Sequence, residues 1–473
     1  MPDHVVVLVT VAVYKLALLG IGLFAQRRTR SGEDFFLGGR RLGPLVAAIS
    51  ASASSSSAWT LLGVSGAAYG WGLSAVWLLP ACVGGFVFNW YVLAPVLGPE
   101  SRRRGALTVT ELLAGPPERP DRRSVVALAS AIVLLSLVTY VAAQFQGAGK
   151  ALNETFGWSA EASILLGAAV VVAYTLLGGF WAVSLTDTLQ GLVMALTSVV
   201  LPTAALFAVG GPSGLLAGLL DAEGGVSLTR GLEGPAALGF VLGLLGIGLG
   251  YPGQPHVVNR FMALTDRPGA LTWARRYAVG WAVVVYAGML LLGWCGRALL
   301  PGLPDREVAF VALTHALFPP VVAGVMLAAV LSAIMSTADS QVLVAASTVT
   351  HDLGWGRGRM VARSRWVVLG LSVAATASAL YGPSEIFGRV LFAWTAMGAA
   401  FGPLLLVTCL FGPVSARATR WAMGLGFALS VVAYGFEATQ GGPFERVLPF
   451  LVAGAVAYRG RASSRTMDRR SAP

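Results

Sequence analysis

Apolar runs long enough to cross a bilayer follow one another along almost the whole chain. A membrane-spanning helix needs about 20 consecutive apolar residues, so this feature restricts the fold more than any other. Only 12% of the 473 residues are charged, whereas a soluble domain carries about 25%. The sequence therefore predicts an all-α polytopic membrane protein. We place thirteen spans at residues 5–25, 44–71, 74–97, 124–149, 159–181, 184–209, 235–255, 273–300, 319–350, 366–382, 385–411, 419–437 and 445–458.

The arginines are concentrated in every second connection between these spans. The basic connections are 26–43, 98–123, 256–272 (with Arg260), 351–365, 412–418 and the tail, while the short 182–183 link has no basic residue. The other connections are acidic or nearly neutral. Short arginine-rich loops stay in the cytoplasm, so the N-terminus is predicted outside and the C-terminus inside. The net charge of +11 therefore marks topology and contact with membrane lipid, and does not indicate nucleic-acid binding.

The first span is predicted to be a retained helix rather than a signal peptide. It has no basic segment before it, no small-residue cleavage site, and an arginine cluster after it. Lys15 lies near its middle, where we expect it to snorkel or to face the protein. Cys82, Cys295 and Cys409 lie far apart in apolar runs and form no disulfide or zinc pattern. The four scattered histidines form no metal site, and no catalytic constellation stands out, so the chain is not predicted to be an enzyme.

The stretch SASASSSSAW, residues 50–59, places a serine run inside the second span. An exposed linker is excluded there, because unpaired backbone groups cannot face lipid. Two interpretations remain from the residues alone. One is a continuous helix whose small face packs closely against its neighbours. The other is a helix unwound around Ala53 to Ser56, whose freed carbonyls and hydroxyls line a binding site.

A second polar patch, AIMSTADSQ at residues 333–341, lies midway along the ninth span. Helical spacing places its small and hydroxyl-bearing residues on one face, namely Ala333, Ser336, Thr337 and Ser340. Asp339 lies on an adjoining face. Hydroxyls, carbonyls and a carboxylate suit a small hard cation such as sodium. A buried serine also bonds back to its own helix at little cost, but a buried aspartate has no such simple explanation.

Two further patches have simpler interpretations. In SLTDTLQ, residues 184–190, Ser184 or Thr186 would cap a helix and Asp187 would favour its positive end. Residues 243–256 contain GxGxxG, but a dinucleotide site would need a preceding strand in a βαβ unit. Because a predicted membrane span precedes this motif, we interpret it as packed helix glycines followed by a proline break.

Taken in order, these patches resemble the sodium:solute symporter family, most closely its sodium/proline symporters. The similarity covers nearly the whole chain and is carried by residues 34–43, 50–59, 174–190, 248–256 with 260–262, 335–343 and 399–403. The resemblance implies a LeuT-type core of two inverted five-helix repeats, with sodium and solute near the midplane. Span 2 would then be the first broken helix.

The resemblance also implies roles for individual residues. Main-chain carbonyls of Ala53, Ser56 and Ala333 and hydroxyls of Ser336 and Thr337 would hold sodium. With Ser336, a second cation or coupling site would include Asp187, Asp339 and Ser340. The residues expected to contact solute are Ser57, Trp59, Tyr140, Tyr251, Gln254 and Pro255.

Two departures from the proline symporters bear on ion and solute. Ser55 stands where those relatives have an aspartate linked to sodium dependence. Ile247 stands where they have a tryptophan important for substrate, which implies a larger and more apolar space.

The predicted function is sodium-coupled symport of a small organic solute, such as proline or a related carboxylate, into the cell by alternating access. A proton-coupled symporter is the alternative within transport, and a transporter-like membrane sensor is the alternative of another class. We expect one transporter domain over residues 1–458, with core repeats at about 44–209 and 235–411, and a basic cytoplasmic tail at 459–473. The expected location is the cell inner (plasma) membrane.

Overall fold

A computed structural model describes residues 2–26, 36–176, 180–221, 225–356 and 360–461. In these residues the regular elements are helices, and β pairing is confined to isolated bridges at Leu42–Leu264 and Val414–Arg461. The all-α prediction is therefore confirmed for the described residues. Predicted features at residues 27–35, 177–179, 222–224, 357–359 and 462–473 lie outside them, including three arginines of the first loop, two arginines of the 351–365 connection and most of the tail.

The α-helices follow the predicted spans closely. In chain order they are α1 (Asp3–Gln26), α2 (Pro44–Ser55), α3 (Val64–Trp71), α4 (Leu78–Phe88), α5 (Ala94–Arg103), α6 (Val109–Ala114), α7 (Arg122–Phe156), α8 (Ala160–Thr175), α9 (Phe180–Ala208), α10 (Gly211–Asp221), α11 (Gly234–Leu245), α12 (Pro255–Ala263), α13 (Ala270–Leu299), α14 (Ala309–Leu317), α15 (Pro320–Ser347), α16 (Met360–Tyr381), α17 (Ile386–Phe411), α18 (Ala416–Tyr434), α19 (Pro443–Arg446) and α20 (Leu448–Arg459). Within the described residues, 8 helical stretches are long and apolar enough to cross a membrane. The number of crossings and their orientation stay predictions.

The second predicted span is broken, as one of its two interpretations required. Helix α2 ends at Ser55, and Ser56 is extended at φ −116° and ψ 93°. The helix resumes through a π turn at Trp59–Gly63 and continues as α3. The hydroxyl of Ser57 accepts the N–H of Trp59 at 3.1 Å, which satisfies one backbone donor freed by the break. Residues 50–59 are all buried, so they are not an exposed linker.

The seventh predicted span has a matching break. After α11 the chain runs through a 3-10 segment, Gly246–Gly253, and becomes extended at Gln254, with φ −97° and ψ 99°. Pro255 then occupies the first turn of α12, where its missing N–H costs nothing. The prediction that residues 256–272 form a loop is therefore wrong for residues 256–263, which lie in α12. This short helix is buried along its whole length.

Close approach of backbones fixes the second break against α17. A Cβ atom on Gly398 would lie 2.5 Å from Gly250 Cα, and one on Gly253 would lie 2.6 Å from Gly398 Cα. Only glycine allows backbones to approach so closely. The 3-10 segment is consequently held directly on α17.

Helix α9 begins earlier than the sequence suggested. It starts at Phe180, so Ser184 and Thr186 lie inside the helix and the predicted 182–183 link is wrong. Thr186 donates its hydroxyl back to Ala182 O at 3.0 Å, as interior threonines commonly do. The helix N-terminus therefore does not explain Asp187, which lies two turns further along.

On the side predicted to be extracellular, an ionic network joins α7 to the start of α17. Lys150 donates to Asp305 at 2.7 Å and to Glu307 at 2.6 Å. The buried Glu307 carboxylate also accepts the N–H groups of Ile386 and Phe387 at 3.0 and 2.8 Å. These are orphan donors at the first turn of α17, where a negative charge is favourable. The network holds Phe387 in place beside the first break.

Candidate functional site

Oxygen atoms from α2 and α15 converge at the first break. The carbonyl of Ala53 accepts the hydroxyls of Ser336 at 3.2 Å and Thr337 at 3.4 Å. Ser336 also donates to Ala333 O at 3.2 Å, and Ser56 N donates to Ala53 O at 3.2 Å. All five residues predicted to hold sodium therefore lie together. Their donor set consists of neutral oxygens, which are the ligands that hard cations prefer.

Beside this oxygen cluster lies a buried ion pair that the sequence interpretation did not foresee. Asp187 Oδ2 lies 3.0 Å from Arg260 Nη2, with exposed fractions of 0% and 1%. The same carboxylate oxygen accepts the hydroxyls of Ser50 at 3.0 Å and Ser54 at 3.1 Å. The other oxygen, Oδ1, is buried and has no hydrogen-bond partner among the residues that the structure describes.

Arg260 is held from several sides. It donates to Ser50 Oγ at 3.1 Å, to Ser340 Oγ at 2.6 Å and to the carbonyl of His256. Ser340 also lies 2.9 Å from Ser54 Oγ. Of the residues predicted for a second cation site, Asp187 and Ser340 are therefore brought together around Arg260. The earlier placement of Arg260 in a cytoplasmic loop is wrong, because it lies in the buried helix α12.

The structure does not place Asp339 in this hydrogen-bonded group. Its Oδ1 accepts the hydroxyl of Thr175, on α8, at 2.9 Å. Its Oδ2 is buried and has no hydrogen-bond partner in the described part of the chain. Asp339 therefore faces α8, whereas Ser340 faces α2 and α12, as the adjoining-face prediction implied.

Aromatic side chains connect the two helix breaks. Trp59 packs against Tyr286 and Phe387, with ring centroids 6.2 and 5.7 Å apart. The hydroxyls of Tyr286 and Tyr251 lie 3.0 Å apart, and Tyr251 packs edge-on against Trp394 at 4.7 Å. The predicted solute residues Trp59 and Tyr251 are thus joined through aromatic residues that the sequence interpretation missed.

Tyr140 contacts the second break and interacts with the first. Its ring lies 6.0 Å from that of His256 and 6.5 Å from that of Trp394, and its hydroxyl interacts with Ser57. One turn further along α7, Gln144 accepts the N–H of Ala58 at 3.0 Å. Gln144 is a further missed residue, because only the fold places it beside the break.

Several buried polar atoms around the breaks have no hydrogen-bond partner within the described ranges of the chain. They include Gln144 Nε2, Trp59 Nε1 and Gln254 Oε1, as well as Ser56 Oγ and both ring nitrogens of His256. The amide nitrogen of Gln254 is already used, since it donates to Gly250 O and Trp394 O at 3.0 and 2.8 Å. Buried polar atoms normally find partners. Two donors and one acceptor in this position therefore indicate a site for a small polar ligand.

The two positions that depart from proline symporters have defined surroundings. Ser55 donates back to Ser52 O at 2.9 Å, so its hydroxyl points along its own helix. Ile247 is buried, and its carbonyl accepts the indole N–H of Trp394 at 3.1 Å. Trp394 therefore supplies an indole beside Ile247 from another helix.

The chain is similar to known proteins over most of its length. The model of the sodium:solute symporter family matches residues 35–426. The sodium/proline symporter of Escherichia coli (strain K12) is 33% identical to the chain, covering 98% of it and 95% of its own length. The high-affinity proline transporter of Bacillus subtilis (strain 168) is 35% identical, covering 85% and 86%.

Solved structures show the same fold. A Na+-coupled sialic acid symporter in a substrate-bound outward-open state has a TM-score of 0.78 at 18% identity, covering 96% of this chain and 97% of its own. A nucleobase-cation-symport-1 family transporter in a closed conformation has a TM-score of 0.57 at 14% identity, covering 91% and 94%.

Proposed function

The chain belongs to the sodium:solute symporter family, and on that premise we propose that it carries L-proline or a closely related amino acid into the cell with sodium. Sodium-coupled transport of a small organic solute through a membrane is the activity of this family, and the chain is a transporter rather than an enzyme. The solute, the residues that bind it and the location in the plasma membrane are our proposals.

We place sodium at the oxygen cluster of Ala53, Ser56, Ala333, Ser336 and Thr337. The observation that carries this assignment is the pair of long hydroxyl contacts, 3.2 and 3.4 Å, from Ser336 and Thr337 to Ala53 O. Sodium would replace these weak hydrogen bonds and join the broken helix α2 to α15. An ion that bridges these helices in one conformation and not in the other shifts the equilibrium between the two, which is the basis of coupling.

Asp187 and Arg260 would govern the release of sodium. The ion pair lies beside the oxygen cluster. Ser54 on α2 and Ser340 on α15 contact each other next to the pair, and each lies within one helical turn of a sodium ligand on its own helix, Ala53 and Ser336 respectively. The free Oδ1 of Asp187 offers sodium a transient anionic ligand. The guanidinium of Arg260 already pairs with Oδ2 of Asp187. Its positive charge would prevent sodium from staying bound to this carboxylate.

The unpartnered atoms around the breaks suit a zwitterionic amino acid. Gln144 Nε2 and Trp59 Nε1 are donors that fit a carboxylate, and Gln254 Oε1 is an acceptor that fits an ammonium group. Tyr140, Tyr251 and Trp394 surround them with aromatic surface. Such a site, largely apolar with a few polar groups, is typical for a small ligand.

Ligand-dependent stabilisation tests the solute assignment. We expect L-proline to raise the melting temperature of the purified protein in sodium chloride and to leave it unchanged in equimolar potassium chloride, because only a ligand that binds the folded state stabilises it. Its six-membered homologue, L-pipecolate, should also stabilise the protein, since Ile247 fills less space than a tryptophan. L-Glutamate, with an additional carboxylate, is the control and should have no effect. If L-proline raised the melting temperature equally in potassium chloride and in sodium chloride, the result would contradict sodium coupling.

A further inference from the structure

Two polar contacts join α6 to the end of α15, on the side predicted to be cytoplasmic. Helix α15 continues through a π turn, Thr348–Asp352. The carboxylate of Asp352 accepts the hydroxyl of Thr108 at 2.7 Å, and His351 Nε2 lies 3.3 Å from Glu111 Oε2. We call this pair of contacts the latch. The transport mechanism proposed above gives no role to the four residues that form it.

The latch residues Thr108 and Glu111 are fixed to each other at the start of α6. The hydroxyl of Thr108 accepts the N–H of Glu111 at 3.0 Å, as N-capping residues do. Glu111 Oε2, the oxygen nearest His351, also accepts the N–H of Leu107 at 2.9 Å. Thr108 and Glu111 therefore move together, so that both latch contacts form or break as one unit.

A narrow cavity leads from the buried ion pair to the latch. Arg260 and Ser340 line it beside the ion pair, and its α15 lining continues to Ser347, about 10 Å further along the helix. Thr108, which belongs to the latch, lines the same cavity. Asn259 also lines it, and the buried Oδ1 of Asn259 has no hydrogen-bond partner among the described residues. In the proposed mechanism sodium is released past this ion pair, so the cavity would be its exit route and the latch would close that route.

A second, wider cavity gives solvent access to His351. It is open to solvent, has a volume of about 610 Å³, and is lined by His351 together with Arg122 and Arg123 at the start of α7. Histidine is the side chain that ordinarily changes its charge between pH 5 and 8. Protons from the solution can therefore reach a titrating group in the latch without entering the membrane.

The charges around His351 determine which protonation state favours the closed latch. Among the described residues, the charged groups that face it are Glu111 from α6, Arg122 and Arg123 from α7, and the adjoining Asp352. Arg122 approaches the other oxygen of Glu111, Oε1, at 3.8 Å, so it does not replace His351 at Oε2. Protonation of His351 makes its contact with Glu111 a charge-assisted hydrogen bond, which is roughly twice as strong as a neutral one. Acid therefore strengthens the latch and alkali weakens it.

We propose that His351 is a positioning residue for sodium release: when protonated it holds the exit route closed, and when neutral it lets α6 and α15 separate. Cytoplasmic pH would thus control the rate of transport without supplying its driving force. This inference rests on the proposed sodium symport, in which the ion leaves past Asp187 and Arg260.

Accessibility of the narrow cavity tests the latch directly. In purified protein carrying C82A/C295A/C409A, the variant S347C places a thiol in this cavity, and its rate of labelling by a polar maleimide is measured. The rate is divided by that of S384C, at an exposed serine on the opposite side of the predicted membrane, to correct for the pH dependence of the thiol itself. We expect the corrected rate to be about fivefold higher at pH 8 than at pH 6, because the latch loses about one hydrogen bond's contribution to stability.

Three further variants distinguish a titrating role from a merely structural one. H351Q is neutral at every pH and should keep the cavity accessible, whereas H351K stays charged and should keep it closed. Neither should respond to pH in this range. The matched control is H315N, which removes a histidine that lies 3.4 Å from Thr155 Oγ1, away from the latch. It should retain the wild-type response to pH.

Transport should follow the same pattern, since release commonly limits turnover. With an inward sodium gradient and equal pH on both faces of proteoliposomes, wild-type uptake of L-[3H]proline should be about fivefold faster at pH 8 than at pH 6. H351Q should be fast and H351K slow at both values. Labelling of S347C that is independent of pH, or a wild-type pH response in H351Q or H351K, would overturn the proposal. If wild type shows no sodium-driven proline uptake, the proposed function fails, and the labelling rates still decide whether His351 controls the latch.

Discussion

The double variant S336A/T337A should need about 100-fold more sodium for half-maximal solute uptake than the wild type does. Both hydroxyls contact the carbonyl of Ala53 at the break in α2, and we place sodium among these oxygens. Losing a ligand group weakens binding by roughly 1.4 kcal/mol or more, which is a factor of ten for each residue. The sodium dependence of the initial uptake rate measures this effect.

The control is S430A, another buried serine whose hydroxyl bonds back to its own helix, at Gly426 O, 3.0 Å away. Its sodium dependence should match that of wild type. At saturating sodium, S336A/T337A should recover most of the uptake, because the solute residues are intact. If the double variant keeps wild-type sodium affinity, the ion binds elsewhere.

The two members of the buried ion pair should change sodium affinity in opposite directions. D187N removes the anionic ligand and should raise the sodium concentration for half-maximal uptake by about 100-fold. It should also lower the stability of the protein, because it leaves Arg260 unpaired at a cost of about 3–5 kcal/mol. R260Q frees both carboxylate oxygens of Asp187 for sodium. We therefore expect tighter sodium binding and slower turnover in R260Q, both measurable from uptake as a function of sodium concentration.

Removing both charges of the ion pair should restore stability but not transport. D187N/R260Q should regain the melting temperature lost in D187N without regaining coupled uptake. R103Q breaks an exposed pair with Glu100 at 2.7 Å and should change stability by less than about 1 kcal/mol. If D187N and R260Q shift sodium affinity in the same direction, Arg260 does not compete with sodium for Asp187.

Periodic apolar runs made the helices predictable, and the serine run made the first break one of two open interpretations. The structure selects the broken helix because Ser56 is extended and Ala53 O turns to the hydroxyls of α15. The grouping of Ser336 and Thr337 also followed from helical spacing alone. Local pattern was sufficient wherever the relevant residues share one helix.

Contacts between distant segments could not be read in this way. Arg260 looked like a loop arginine because the positive-inside rule counts basic residues without knowing their partners. Its carboxylate partner, Asp187, lies 73 residues earlier in the chain. Gln144 and Trp394 carried no motif, and only the packing of α7 and α17 against the breaks places them at the site. A proline followed by a polar residue at 255–256 was the available signal that α12 is a new helix.

The most direct measurement is the uptake of L-[3H]proline by proteoliposomes under three inward gradients: sodium, potassium and protons. We predict accumulation above equilibrium with the sodium gradient alone, because the oxygen cluster at the α2 break must be occupied by sodium for the solute site to form. Equal accumulation with potassium, or accumulation driven by the proton gradient without sodium, would contradict sodium coupling through this site.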